Sequence, residues 1–115
     1  MKILTIAAVL LALPALAQTS HQNHGWPARG ASPSTQAYQA ANDRMHRDMG
    51  IAFSGNADRD FAAGMIPHHQ GAIDMAEVVL KFGKDPELRK LATDIIKAQQ
   101  IEIAFMKAWL AKQPK

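Results

Sequence analysis

The segment Met65-Ile66-Pro67-His68-His69 carries the side chains best suited to chemistry in this chain. On a helix, residues three and four apart are neighbours, so the thioether of Met65 can lie beside both imidazoles. A thioether is a soft ligand that favours Cu(I), whereas imidazole suits copper, zinc, iron or nickel. Calcium and magnesium prefer oxygen ligands, which are sparse in this segment. The segment therefore predicts a transition-metal site, with copper as the preferred ion.

Simpler interpretations of the same residues have to be weighed against a metal site. A methionine on an apolar helix face most often fills a gap in the core, and a single histidine there is usually a hydrogen-bonded core residue. Two adjacent histidines with Met65 one turn before them favour a site, because neither imidazole can be buried without a partner. Pro67 lacks an N–H group, so the helix is expected to kink beside the histidines. Local rules are often broken where a functional site is built.

A second group of candidate ligands lies in the preceding helical stretch. Met45 and Met49 are one turn apart on its apolar face, and His46 lies at the edge of that face. If the first two helices pack antiparallel, this group can face Met65. Taken alone, the two methionines are interpreted as core residues. The pattern therefore predicts a wider set of sulfur and imidazole donors only if the two helices meet at this level.

Polar residues elsewhere extend the candidate site. Glu102 and Gln99 interrupt the apolar stripe of the last helix, and a buried carboxylate is costly unless it is paired or bound to a metal. Glu102 can accept a hydrogen bond from one of the histidines and orient it, with Gln99 one turn away. Alternatively, the helix is rotated and Glu102 is half-exposed. Near the N-terminus, His21 and His24 can hold Cu(II) or Zn(II) only loosely, so they are accessory residues.

Three helical stretches must position these side chains. The first covers residues 34 to 49, capped by Ser34 or Thr35, the second covers 58 to 82, and the third runs from Asp85-Pro86 to about 112. No strand-like alternation occurs, so the predicted fold class is all-α: a small antiparallel helical bundle of three main helices behind a flexible N-terminal leader. So short a chain buries only a modest core, which predicts a homodimer that completes a larger bundle.

The apolar periodicity indicates which side of each helix faces inward. Steps of three and four residues define one inner stripe per helix. In the first helix this stripe is Tyr38, Asn42, Met45 and Met49. In the second helix it is Phe61, Met65, His68, Ala72, Met75, Val79 and Phe82, next to a neighbouring apolar stripe of Ala62, Ile66, His69, Ile73, Ala76 and Leu80. In the third helix it is Leu88, Ala92, Ile95, Gln99, Glu102, Met106 and Trp109.

The N-terminal residues indicate export. Lys2 precedes an apolar run over residues 3 to 13, and Ala15-Leu16-Ala17 is a small-residue cleavage site. This order predicts a signal peptide over residues 1–17, cleaved after Ala17, and a periplasmic or secreted protein. The run is shorter than the about 20 residues a membrane-spanning helix needs, so no stable membrane insertion is expected. A flexible leader over residues 18–33 and a helical metal-binding domain over 34–115 complete the predicted organisation.

The composition narrows the chemistry further. The chain has no cysteine, so no disulfide stabilises it and metal ligands are restricted to His, Met and carboxylate side chains. The net charge is +3, and positive and negative residues alternate along the chain. There is no basic stripe with interleaved aromatic residues, so nucleic-acid binding is not predicted.

The motif around the two histidines resembles that of a known family. The similarity to the domain-of-unknown-function 305 family covers about residues 38 to 110 and includes Met65-Ile66-Pro67-His68-His69-Gln70-Gly71-Ala72, Asp85-Pro86-Glu87, Gln99, Glu102, Met106 and Trp109. The resemblance implies a ferritin-like bundle and, as in exported members of the CopM type, binding of copper and silver ions in copper homeostasis or resistance. On the family motif fall Met65, His68, His69 and Met75, together with Met45, His46 and Met49 of the first helix. Only five of the six methionines remain after signal removal, which favours one or two metal sites over multi-ion storage.

Several functions compete at this point. The leading prediction is an exported, non-enzymatic copper-binding protein that sequesters Cu(I) or Cu(II) or delivers it to a periplasmic copper-handling partner. A metal-free structural or interaction bundle is the alternative. A zinc enzyme with a His-His-Glu set is a weaker one, because no separate base or nucleophile is apparent. A di-iron oxidase is excluded, because such sites need Glu-x-x-His twice and no glutamate here precedes a histidine at that spacing.

Overall fold

Three α-helices make up the part of the chain that the computed structural model describes, residues 30–114. Helix α1 is Pro33–Asp48, α2 is Ala57–Phe82 and α3 is Pro86–Ala111, with no strand in the described residues. The predicted all-α bundle is confirmed, and the predicted helix limits agree to within one residue. The predicted signal peptide and residues 18–29 of the leader lie outside the described residues. None of the three helices combines the length and apolarity that crossing a membrane requires.

Each helix begins at a side chain that accepts a hydrogen bond from the backbone N–H three residues later, and these caps are Ser32, Asn56 and Asp85. Such a cap stabilises a helix by about 1 kcal/mol. The cap predicted at Asp85 is confirmed. The α1 cap predicted at Ser34 or Thr35 is wrong, because Ser32 takes the role and Pro33 occupies the first helical position, where its missing N–H costs nothing.

The connection between α1 and α2 is held by one carboxylate. Asp60 accepts hydrogen bonds from the backbone N–H and the hydroxyl of Ser54, each at 2.8 Å, and from the backbone N–H of Gly55 at 3.2 Å. Gly55 has a φ of 86°, which favours glycine at this turn. The backbone hydrogen bond from Ser54 is the main cause that lowers the pKa of Asp60 below its usual value, and the Ser54 hydroxyl adds to it. The turn therefore fixes where α2 begins.

Helix α2 lies between the other two helices, and both run antiparallel to it. On the α1 side, Arg44 forms an ion pair with Asp74 at 2.7 Å, and Met45 lies against Gly71. On the α3 side, His69 contacts Glu102. At about 100° per residue, Gly71 and His69 point about 160° apart around the α2 axis. Within the described residues α1 and α3 do not contact each other, so the three helices lie side by side as a single layer.

The core of this layer is small. Its buried apolar residues are Ala41, Ala62, Ile73, Ala76, Val78, Ala92, Ile103 and Met106. Half of them are alanines, which let helices approach closely but contribute little apolar volume. In α2 the buried stripe is the neighbouring one that contains Ala62, Ile73 and Ala76. The inner stripe predicted for α2 is partly open instead, because Phe61 is 65% exposed and Met75 is 42% exposed.

One side of the layer is apolar and accessible, and we refer to it as the open face. A groove of about 370 Å³ runs along it between α1 and α3, over Ala72, Met75 and Val79 of α2, with Leu88, Leu91 and Ile95 of α3 on its wall. A second depression of about 290 Å³ lies beside Phe61, Phe105 and Trp109. The opposite side of α2 carries Asp74, Glu77 and Lys81. The layer therefore has one apolar and one polar side.

Candidate metal centre

The two adjacent histidines of α2 have different surroundings. Helix α2 continues through Pro67 as one element, and the kink predicted there stays a prediction. The ring centroids of His68 and His69 are 6.2 Å apart and the rings are inclined by 59°. His68 is exposed, whereas His69 is only 8% exposed. Because successive residues of a helix are about 100° apart, one histidine faces the open side and the other faces α3.

His69 is held by a carboxylate from the neighbouring helix. Its Nε2 lies 2.5 Å from Oε2 of Glu102, whose side chain is 59% exposed. In this contact the Nε2–H group donates to the carboxylate, which fixes the orientation of the imidazole. The hydrogen bond expected between Glu102 and one of the two histidines is therefore present, and His69 is the histidine that makes it. Its action on a bound metal stays a prediction, and the half-exposed position that was the alternative also describes this side chain.

The two ring nitrogens of His69 differ in their hydrogen bonding. Nδ1 is buried and has no hydrogen-bond partner among the described residues. A buried polar atom without a partner costs about 1 to 3 kcal/mol, so most such atoms in proteins are satisfied. Histidines that bind metals commonly donate one N–H group to a carboxylate and coordinate the metal through the other nitrogen. His69 and Glu102 have this arrangement, with Nδ1 as the nitrogen that remains for an ion.

A methionine from α1 reaches the same region of α2. A Cβ atom on Gly71 would lie 2.5 Å from Sδ of Met45 and 2.8 Å from its Cγ, so only glycine leaves room for this thioether. At Gly64, two turns earlier, a Cβ atom would meet Cδ1 of Ile51 at an ordinary distance of 3.7 Å. Glycine at position 71 therefore lets α1 approach α2 closely, and Met45 places its sulfur one turn after His68 along the helix axis.

The remaining predicted donors are spread over several surfaces. Met65 is half-buried and Met75 is 42% exposed, and both belong to the α2 stripe that includes His68. On α1, Met49 is 39% exposed and His46 is exposed. Gln99 is half-buried on α3, one turn before Glu102, and the leader residues His21 and His24 lie outside the described residues. Between residues 30 and 114 no three His, Asp or Glu side chains come together as a metal-binding group.

Arg44 forms an ion pair with a different residue from the one that the sequence indicates. The i,i+4 spacing of Arg44 and Asp48 in the sequence indicates an ion pair along α1, but the guanidinium of Arg44 contacts Asp74 of α2. The Asp74 side chain is 11% exposed and that of Arg44 is 51% exposed, so the pair lies at the edge of the α1–α2 contact. An acidic residue three positions after Gly71, on the α1 side of α2, is the signal that could have revealed it. The pair fixes the register that brings Met45 to Gly71.

Comparison with known proteins assigns this chain to a family. The family model described as "Domain of unknown function (DUF305)" matches residues 8–110, which is most of the chain. The chain belongs to the DUF305 family. The predicted family membership is thereby confirmed, whereas the ferritin-like fold and the likeness to the CopM type stay predictions.

A viral protein shares part of this DUF305 sequence. Over 53 residues the chain is 47% identical to the uncharacterized protein L153 of Acanthamoeba polyphaga mimivirus. The match covers 46% of this chain but only 35% of the viral protein. Neither the family description nor the relative's name states an activity.

Proposed function

We propose that this protein is an exported copper-binding protein that sequesters or delivers Cu(I) or Cu(II) through methionine and histidine ligands. The observation that carries the proposal is the buried Nδ1 of His69, which lacks a partner while Glu102 occupies the other ring nitrogen. This arrangement fixes the orientation of the imidazole before an ion binds. Binding then costs little further ordering of the ring, and the nearby carboxylate offsets part of the charge of the bound ion.

The sulfur atoms nearby favour copper over zinc. Met65 is one turn before the histidines on the same helix, whereas Met45 lies against Gly71 on the α1 side of α2, about 160° around the helix axis from His69. Thioethers are soft donors that select Cu(I), and silver, which is also soft, is expected to bind at the same place. The thioethers of Met49 and Met75 and the imidazole of His46 are exposed on other surfaces, from which they can take part in transfer of the ion.

We propose binding without catalysis, in the periplasm or outside the cell. Among the described residues, the groove of the open face is lined by apolar side chains and Tyr38, so its lining supplies no carboxylate or imidazole as a general base. Cleavage after Ala17 would release the mature chain from residue 18, with no membrane insertion and no nucleic-acid partner. A periplasmic copper-handling protein is the partner expected to receive the ion.

Copper titration of the mature protein tests this proposal. We expect retention of about one or two Cu(I) ions after desalting, in the presence of competing zinc, and loss of retention in the double variant His68→Ala, His69→Ala. Glu102→Gln is expected to lower the copper affinity about 10- to 100-fold. Glu77→Gln is the matched control, because Glu77 is an exposed carboxylate on the polar side of α2. A folded double variant that binds copper as tightly as the wild type would overturn the assignment.

A metal-free interaction bundle is the second candidate, and the open face favours it. Phe61 and Phe105 are 65% and 69% exposed, which is typical of a surface that contacts another protein. The same titration separates the two candidates. A folded wild-type protein that retains neither copper nor zinc would establish the interaction bundle and make His69 a core residue paired with Glu102.

A further inference from the structure

The open face lacks a second layer of structure. Domains bury their apolar surfaces between two packed layers of secondary structure. Here α1, α2 and α3 form one layer, and its apolar side is accessible along its whole length, from Leu88 at one end to Phe61 at the other. Few of the core side chains within the layer are large. A second apolar surface must cover the open face if its side chains are to contribute to stability.

The exposed area on this face approaches what a stable dimer uses. Five large apolar side chains on it are between 42% and 69% exposed: Phe61, Met75, Leu88, Leu91 and Phe105. With a large side chain presenting roughly 150 to 250 Å² when fully exposed, these five offer roughly 500 Å². The half-buried residues around them add to this, and a standard interface buries about 800 Å² per partner. A second copy of this chain would therefore bury an area that approaches that of a standard interface.

The leader of the same chain does not match this surface. Residues 18–33 contain one large apolar side chain, Trp26, among Gly, Pro, Ser, Gln, Asn and His. A segment of this composition has too little apolar surface to cover five large side chains. The face of a second copy, by contrast, carries the same apolar stripe and complements it across a two-fold axis.

The metal donors lie on the same face. His68 and Met75 are exposed there and Met65 is half-buried beside them, yet one chain brings no three His, Asp or Glu side chains together within residues 30–114. A two-fold axis that passes near His68 would bring the imidazole and the thioethers of both chains to one place. Two copies can then supply the four donors that a copper or zinc ion commonly takes.

We infer that the open face packs against the open face of a second copy and that donors from both chains, centred on His68, complete one metal site in the interface. This inference rests on the proposed metal binding, and it concerns the exposed His68, whereas the buried Nδ1 of His69 lies on the α3 side of α2 and is not part of the interface. The dimer places the exposed ligands of the open face in an enclosed apolar setting. Release of the ion to a partner would then require the two copies to separate, which couples metal delivery to dissociation.

Sedimentation velocity of the mature protein at about 1 and 50 µM, without metal and with Cu(I), tests this inference. We expect a dimer that copper strengthens at least tenfold. Leu91→Glu places a charge in the groove of the open face without replacing any proposed metal ligand, and it is expected to give a monomer of unchanged helix content. Ile101→Glu is the matched control: Ile101 is 71% exposed on the same helix, but it lies half a turn away from the α2-facing Ala92. It is expected to remain a dimer.

Copper affinity of the same variants decides whether the site is shared. A monomeric Leu91→Glu protein is expected to bind Cu(I) at least tenfold more weakly than the wild type, although all its metal ligands are intact. A wild-type chain that is monomeric at 50 µM with copper bound, or a Leu91→Glu monomer with wild-type affinity, would overturn the inference while leaving copper binding in place. If the wild-type protein retains no metal in the copper titration, that result contradicts the proposed function itself.

Discussion

Two apolar sides of helix α2 differ in burial: one packs against α3, and the other is exposed on the open face. The side toward α3 is closed: Ala62, Ile73 and Ala76 are buried there, and His69 is paired with Glu102. The open face is about a quarter turn away and carries side chains that are at least as apolar, among them Phe61 and Met75. Hydrophobicity alone therefore does not decide burial in this chain. Small residues mark where the helices of one chain meet, and several of the larger apolar residues stay exposed.

The first test of this contrast compares two side-chain truncations on α2, Ile73→Ala on the closed side and Met75→Ala on the open face. In the monomeric Leu91→Glu background, Ile73→Ala is expected to lower the free energy of unfolding by about 3 kcal/mol, because a buried side chain is lost and a cavity remains. Met75→Ala is expected to cost less than about 1 kcal/mol, because that side chain is already 42% exposed. Urea denaturation followed by circular dichroism measures both.

The wild-type background sharpens the comparison. There the cost of Met75→Ala should rise toward that of Ile73→Ala as protein concentration increases, because the open face is then covered by a second copy. A cost of Met75→Ala that is equally large in the monomeric background would contradict the division of α2 into a closed and an open side.

The contact of α1 with α2 gives a second, smaller effect. Gly71→Val is expected to lower the free energy of unfolding by about 2 kcal/mol, because any Cβ at this position overlaps the Met45 thioether. Gly64→Ala is the matched control on the same side of α2. Its Cβ meets Ile51 at 3.7 Å, so the better helix propensity of alanine should stabilise the protein by about 0.5 to 1 kcal/mol. Equal effects at both glycines would contradict the close approach of Met45.

The sequence predicted the helices of this fold well and their faces less well. Side-chain caps such as Asp85 and turn residues such as Gly55 act locally, so the helix limits could be read from neighbouring residues. The inner stripe of α2 could not be assigned correctly, because its periodicity is the same whether the stripe faces a helix of the same chain or a second copy. The alanines of the neighbouring stripe indicate which side of α2 packs against another helix, because close helix contacts need small residues.

The candidate site shows the same limit. The spacing of Met65 and the two histidines identified the segment, and the polar Glu102 within an apolar stripe indicated a partner for one imidazole. Which histidine it contacts depends on how α3 is rotated against α2, and that is a property of packing over the whole interface. The spacing of Arg44 and Asp48 likewise indicates a local ion pair, but Arg44 pairs with Asp74, whose side chain is 11% exposed compared with 49% for Asp48.

The smallest expected effect concerns the turn that starts α2 and is independent of either side of that helix. Hydrogen bonds from Ser54 lower the pKa of Asp60 in the folded state, so the carboxylate contributes stability that is present above its ordinary pKa of 3.8 and is lost as the pH falls through the lower folded value. Asp60→Asn should therefore be less stable than the wild type at pH 7, and the difference should shrink below about pH 4. Urea midpoints between pH 2.5 and 7 measure it, with Asp58→Asn as the control, because Asp58 lies in the same first turn of α2. A difference between Asp60→Asn and the wild type that stays constant over this pH range would show that the ionised carboxylate does not hold the turn.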